Sequence, residues 1–280
     1  MDRFLIVNAD DFGRSEAVNA GIVEAFRRGI VTSTSIVATG PAFDSAVEMA
    51  RENEDLGMGI HLILNEYHPA LPPSQIPTLV TEDGRLQRRG YQLLKMVVSD
   101  RMADDVYREW DAQISKVLSC GIKLDHINGH GHCHAHPRVA RVVVALAQRY
   151  GISHVRLPVE SIGWRAEQFS VYRLAGKLAL NSFALYSQRL WNGKVSSPEH
   201  FYGFSDCGHL TPAVLRRVAQ TAEPGVSELM VHVGTSNIEP EGLRTFCDWK
   251  RDLETITAFD KASFQKEFGI KLTTFTGRRF

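Results

Sequence analysis

Two carboxylates stand side by side in Asn8-Ala9-Asp10-Asp11-Phe12-Gly13, directly after the apolar run Phe4-Leu5-Ile6-Val7. Adjacent carboxylates repel each other, and an apolar setting makes ionising both costly. A metal ion removes that cost by taking one as a ligand, which leaves the other free to act as a base near neutral pH. The plain reading of the same residues is a solvated turn with Asp at a helix N-cap.

The densest signal is Asp125-His126-Ile127-Asn128-Gly129-His130-Gly131-His132-Cys133-His134-Ala135-His136-Pro137. Five of the eleven histidines fall within these residues, all at even positions. If the chain stays extended, a period of two places His126, Asn128, His130, His132, His134 and His136 on one face. Gly129 and Gly131 allow the backbone to bend away, and Pro137 fits the first turn of a helix. Neutral imidazole is a common ligand for zinc and similar ions. One such His would be a ligand, with the others orienting ligands, lining a pocket or pairing with carboxylates. His130, His132 and His134 compete for that position.

Three further groups stand near the ends of apolar runs. His61 lies in Gly59-Ile60-His61-Leu62-Ile63-Leu64, where a core role is the plain alternative. Arg156, in Val155-Arg156-Leu157-Pro158, is placed to pair with Asp10. His232, in Met230-Val231-His232-Val233-Gly234, is placed to protonate a leaving group. The four cysteines, Cys120, Cys133, Cys207 and Cys247, form no C-x-x-C pair and read as reduced thiols of a cytosolic protein. Only Cys133 sits among the histidines.

These residues need a frame, and strand-like and helix-like segments alternate. Strands are predicted at 4–9, 33–38, 57–64, 122–128, 153–157, 227–233 and 270–275. Helices are predicted at 15–28, with Ser15 as N-cap and Gly29 as stop, and at 42–52, 102–119 and 137–150. A long Pro-containing connection runs from Glu66 to about Gly84. This rhythm predicts parallel strands covered by helices in a (β/α) barrel, with an open doubly wound sheet as the alternative. In a barrel, the C-terminal strand ends carrying Asp10, Asp11 and His232 share the face where sites form.

Composition bounds the rest. The chain has 280 residues, 32 basic and 32 acidic side chains, and 44% hydrophobic residues. That is too apolar for a disordered chain, and the neutral balance argues against nucleic-acid binding. The N-terminus lacks the apolar core of a signal peptide, and no uninterrupted apolar stretch is long enough to span a membrane. The segment 165–194 stands apart. It carries Arg165, Arg173, Lys177, Arg189 and Lys194 against one acid, Glu167, together with many aromatic and aliphatic residues. It reads as an inserted helix packed on the body, or as a lid or peripheral membrane contact.

The motifs NADDFG at 8–13, GIHLIL at 59–64, DHINGHGHCHAHP at 125–137 and MVHVG at 230–234 resemble the YdjC/ChbG family of carbohydrate deacetylases. LPPSQIPTLV at 71–80, DHINGH at 125–130, VRLP at 155–158 and FYGFSDCGHLT at 201–211 resemble its hopanoid-biosynthesis-associated HpnK branch. The resemblance covers most of the chain and is weakest over 159–200. It implies one α/β catalytic domain over 1–280, a (β/α) barrel of the glycoside hydrolase/deacetylase type, distorted or seven-stranded, with a helical insertion at about 159–200.

The resemblance also implies metal-dependent removal of acetyl from an N-acetylglucosaminyl group. Carried over by motif, Asp11, His61 and His130 match the metal ligands, Asp10 the base and His232 the acid. His126, Asn128, His132 and His134 remain as supporting or alternative ligands. Val233 stands where the family often has Pro, and Asn128-Gly129 where it often has Asp or Ser. The implied cofactor is one divalent ion, zinc by ligand preference, with magnesium also compatible. The branch implies a lipid-linked substrate, an acetylated glucosaminyl hopanoid, met at the inner membrane face. Soluble chitooligosaccharides are the alternative substrate, and a non-catalytic metal-binding barrel is the alternative of another class. Homo-oligomerisation is left open.

Overall fold

The computed structural model describes residues 2–86, 99–161, 163, 171–238 and 247–280. The opening apolar run forms β1 (Arg3–Phe12), buried from Leu5 onward. A run apolar on both faces suits a parallel strand covered on both sides. β1 pairs with β2 (Ser33–Ile36) along its second half and with β8 (Lys271–Leu272) at its start. Its other edge pairs with β7 (Gly225–Val231), from Arg3 opposite Gly225 to Ala9 opposite Val231. β3 (Gly57–Leu62), β4 (His126–Gly129) and β5 (His154–Val155) continue beyond β2, and β6 (His200–Tyr202) lies beyond β7. All these pairings are parallel. Isolated parallel bridges, His154 to Ser196 and Glu160 to Phe201, join the chain around β5 to the chain around β6. The sheet therefore curls, and the architecture is a distorted (β/α) barrel with seven main strands.

The helices bury one stripe each. In α1 (Glu16–Arg28), Ser15 Oγ accepts the Val18 N–H, and Val18, Ile22 and Ala25 face the core. α2 (Phe43–Glu52), α3 (Asp100–Ser119) and α4 (Ala140–Tyr150) follow the predicted positions closely. α6 (Pro212–Thr221), α7 (Trp249–Thr257) and α8 (Lys261–Phe268) complete the described set. Among the described residues, no helix is long and apolar enough to cross a membrane.

Two expectations are corrected. The strand at 122–128 begins only at His126 and ends at Gly129. Beyond it the chain turns through 3-10 geometry over His130–Ala135, with Gly131 and His132 at φ 56° and 58°. The period of two therefore stops at His130, and the later histidines do not share its face.

The basic character expected of 165–194 is also redirected. Arg165, Glu167 and Phe169 lie outside the described residues. Among the described residues of the segment, α5 (Val171–Trp191) is a helix whose Leu180, Ala184, Ser187 and Trp191 pack inward. Trp191 Nε1 donates to Ala140 O and Ser187 Oγ to Ala135 O. Arg173 and Lys177 turn toward the body, donating to Ser205 O and Ser161 O. Beside the exposed Arg189, α5 exposes an apolar set: Val171, Tyr172, Leu178, Leu185 and Tyr186.

Candidate metal and catalytic site

In a regular strand, neighbouring side chains point to opposite faces, so Asp10 and Asp11 could not serve one site. The β1–β2 register slips between Ala9 and Phe12, and Asp11 takes a left-handed conformation with φ 72°. This bulge sends the two carboxylates to different partners at the same end of the barrel.

Asp11 meets two imidazoles. Its Oδ1 lies 3.3 Å from His61 Nε2, on β3, and 3.1 Å from His130 Nδ1, just after β4. The two ring nitrogens are 3.4 Å apart. Ligand atoms held tetrahedrally about 2.1 Å from a zinc ion are themselves roughly 3.4 Å apart. The three atoms thus converge at the spacing a metal needs, with one carboxylate and two imidazoles as donors.

The opposite ring nitrogens are held in a way that frees these lone pairs. Asn128 Nδ2 donates to Asp10 Oδ1 and Ser35 Oγ, which leaves Asn128 Oδ1 to accept from His61 Nδ1 at 2.8 Å. His130 Nε2 faces Glu66 Oε2 at 3.7 Å. Such partners fix tautomer and ring orientation. Burial opposes charge on both Asp11 and His130. Their mutual attraction outweighs it, holding Asp11 well below the carboxylate range and, with help from Glu66, pushing His130 up to about 10.

Asp10 takes a different cation. Arg156, fully buried just after β5, donates Nη1 to Asp10 Oδ2 and Nη2 to Oδ1, each at 2.7 Å. Its Nε donates to Glu228 Oε1, also at 2.7 Å. Asn8 Nδ2 and Ser35 Oγ add donors to Asp10 Oδ1. Burial favours a neutral Asp10, but Arg156 overrides it and keeps the carboxyl ionised. Glu228, deep on β7, is instead raised by burial.

His232 follows β7 and lies across the cavity. Burial works against its charge, but Cys207, Asp10 and Asp11 outweigh it and push the imidazole up to about 9. Its loop is fixed by close packing. A Cβ on Gly21 of α1 would fall 2.4 Å from Gly234 Cα, so the helix and the loop can meet only through glycine. Gly234 N–H also donates to Trp249 O, and Thr235 N–H to Ala17 O.

The other candidates separate. His132 lines the cavity between Phe201 and Phe204, at ring distances of 5.7 and 5.8 Å. Burial, then Arg156, drives its pKa well down. His134 donates Nε2–H to Arg156 O and stacks on Trp191, and burial brings it down to about 3. His126 pairs with Asp125 and stacks on Phe275 at 3.8 Å. It packs over Gly59, where a Cβ would fall 2.3 Å from its Nε2. Cys133 points to Leu62 O, with its thiol pushed up to about 12 by burial. None of these four joins the Asp11 cluster.

Sequence reasoning placed Asn8 in the first motif without a role of its own, and it missed Ser35, Glu66 and Glu228. Glu228 had a signal, a lone acid inside a predicted buried strand. Ser35 had none, because Ser in Ser-Thr-Ser is ordinary.

The cavity over these groups is about 420 Å³. Asp10, His61, His130, His132 and His232 line its polar side, while Leu180, Phe204 and Met230 give an apolar side.

Comparison with known proteins supports one lineage. A carbohydrate deacetylase of Brevibacillus brevis is 32% identical over 277 residues, covering 97% of this chain and 98% of that protein. One from Geobacillus stearothermophilus is 41% identical over 162 residues, 58% of this chain and 61% of that protein. The crystal structure of an Enterococcus faecalis V583 protein described as a cellobiose-phosphate cleavage protein superimposes with a TM-score of 0.76 at 29% identity. It covers 99% of this chain and 98% of its own. The model of YdjC-like proteins matches residues 4–268, and the chain belongs to that family.

Proposed function

We propose that the chain is a metal-dependent deacetylase that hydrolyses the N-acetyl group of an amino sugar, with Asp11, His61 and His130 as ligands. One observation carries the reading. His61 and His130 of the Asp11 cluster line one cavity together with Asp10 and His232. The relatives named as carbohydrate deacetylases support the same reaction class.

The donor set fits a divalent ion, zinc before magnesium. Bound there, the ion would supply Lewis acidity toward the acetyl carbonyl and a lowered pKa for water. Asp10 receives the proton from the attacking water. Its bidentate pairing with Arg156 makes it a weak base that works only on acidified water, and holds it in one orientation. Asn128 ties Asp10 to His61, so base and ligand move together. His232, charged up to about pH 9, delivers a proton to the departing amine, which is otherwise a poor leaving group.

For the substrate we propose an N-acetylglucosaminyl group on a hopanoid lipid. Leu180, Phe204 and Met230 give the cavity an apolar wall, and α5, which supplies Leu180, exposes apolar side chains to the outside. Contact with the inner face of a membrane through α5 follows from that substrate. It would be driven by Tyr172, Leu178, Leu185 and Tyr186 rather than by Arg173 and Lys177. The relatives' name keeps a soluble chitooligosaccharide as the second reading.

Acetate release from an N-acetylglucosaminyl lipid and from diacetylchitobiose tests both, with chelated and metal-restored enzyme side by side. Metal-dependent release from the lipid alone is expected. Release from the soluble sugar would overturn the substrate, and release from neither would overturn the reaction.

A further inference from the structure

The face of His232 turned away from the Asp11 cluster meets two thiols. Cys207, on the loop after β6, places Sγ 3.7 Å from His232 Nδ1. Cys247, just before α7, is buried beside it, and neither cysteine is in a disulfide. The two sulfurs and the nitrogen all lie within 4.8 Å of one another.

Three segments distant in sequence build this group, and hydrogen bonds lock them together. Asp248 N–H donates to Gly208 O, and Leu210 N–H to Asp252 Oδ1. Gly234 N–H donates to Trp249 O, and the Trp249 ring stands edge-on to His232 at 5.6 Å. Neither Asp10 nor Asp11 needs this group, and nothing in the proposed hydrolysis uses Cys247.

We propose that Cys207 Sγ, Cys247 Sγ and His232 Nδ1 form a second metal site, selective for a soft divalent cation such as zinc or cadmium. Two sulfurs and an imidazole are the donors such ions prefer. A zinc ion bound tetrahedrally at about 2.3 Å from sulfur and about 2.0 Å from nitrogen sets those donors roughly 3.6 Å apart. The 3.7 Å between Cys207 Sγ and His232 Nδ1 already sits close to that spacing. Cys207 lines the cavity, which gives the ion a way in and leaves room for water as a further ligand. Each thiol releases its proton on binding, and His232 binds as the neutral ring.

The site bears on turnover through His232. An ion on Nδ1 excludes the second ring proton, so the ring no longer carries the charge that makes it an acid. Excess soft metal therefore slows the reaction. This consequence rests on the role proposed for His232, whereas the binding itself does not.

The test is a cadmium titration of the chelator-stripped protein under a phosphine reductant, reading bound equivalents and the ultraviolet thiolate-to-cadmium band. Two equivalents and the band are expected. Cys207→Ser and Cys247→Ser should each lose one equivalent and the band. Asp11→Asn should lose the other equivalent and keep the band, which separates this site from the proposed catalytic one. A wild-type protein without the band, or a band that survives both serine variants, overturns the proposal. A second measurement needs no variant. Cadmium should slow alkylation of Cys207 at least tenfold while Cys120 stays reactive, and equal alkylation of Cys207 with and without the ion overturns it too.

Discussion

On the side of β1–β4, Asp10, Asp11, His61 and Asn128 hang from paired strands, and each is bonded to at least one of the others or to Arg156. On the side of α5 and the chain after β6, Leu180 and Phe204 meet the cavity through packing, from a helix and a loop held by Glu160. The first wall is polar, cross-linked and fixed by strand register. The second is apolar and set by side-chain packing. Reaction chemistry needs positions held within fractions of an ångström, which hydrogen-bonded strands supply. Substrate fit tolerates looser packing and can change without disturbing the chemistry.

Substitutions on the two walls should therefore fail differently. Asp11→Asn should have the largest effect, removing the ion that Asp11, His61 and His130 would hold and leaving turnover at background. Unchanged metal content by atomic absorption would break the polar wall's assignment. Asp10→Asn should keep the metal and lower kcat about 10²- to 10⁴-fold, the worth of a positioned base. A kcat near wild type would remove Asp10 from that role.

His232 belongs to neither wall and should show itself in the pH profile. As the proposed acid it acts in its charged form, which persists up to about 9, so kcat should be full below that value and fall about tenfold per unit above it. Cys207→Ser removes a contributor to the raised value, so the alkaline limb should move to lower pH. A limb that stays in place would detach Cys207 from His232. The smallest change is expected on the apolar wall. Phe204→Ala should raise KM roughly tenfold with kcat nearly unchanged, as loss of an apolar contact does. A fall in kcat instead would mean that the second wall positions the reaction as well.

Much of the polar wall was legible in the sequence because strand ends and chemistry coincide there. Asp10, Asp11 and His61 follow apolar runs, and Arg156 pairs with Asp10 as its place at a strand end suggested. The histidine cluster shows the limit. Alternation could group six residues, but only a backbone reversal at Gly131 and His132 separates His130 from His134, and that depends on φ values no periodicity encodes. β6, three residues long, was hidden beside the inserted segment because so short a run carries no pattern. Charge in 165–194 was countable, but its direction was not. Lys177 turns inward because Glu160 is buried 3.4 Å away.

The position of β1 in the sheet has a consequence for biosynthesis. The strand that carries Asp10 and Asp11 is made well before β7, its neighbour along one edge, and Arg156 follows Asp10 by 146 residues. Until β7 has been made, β1 presents an unpaired edge that includes the apolar run Phe4–Val7. Closure of so distant a pairing is slow, and such an edge invites association between nascent chains. The candidate site is thus completed only after β7 has been made. A chain released before residue 225 should be captured by chaperones or aggregate rather than persist as a partly active enzyme.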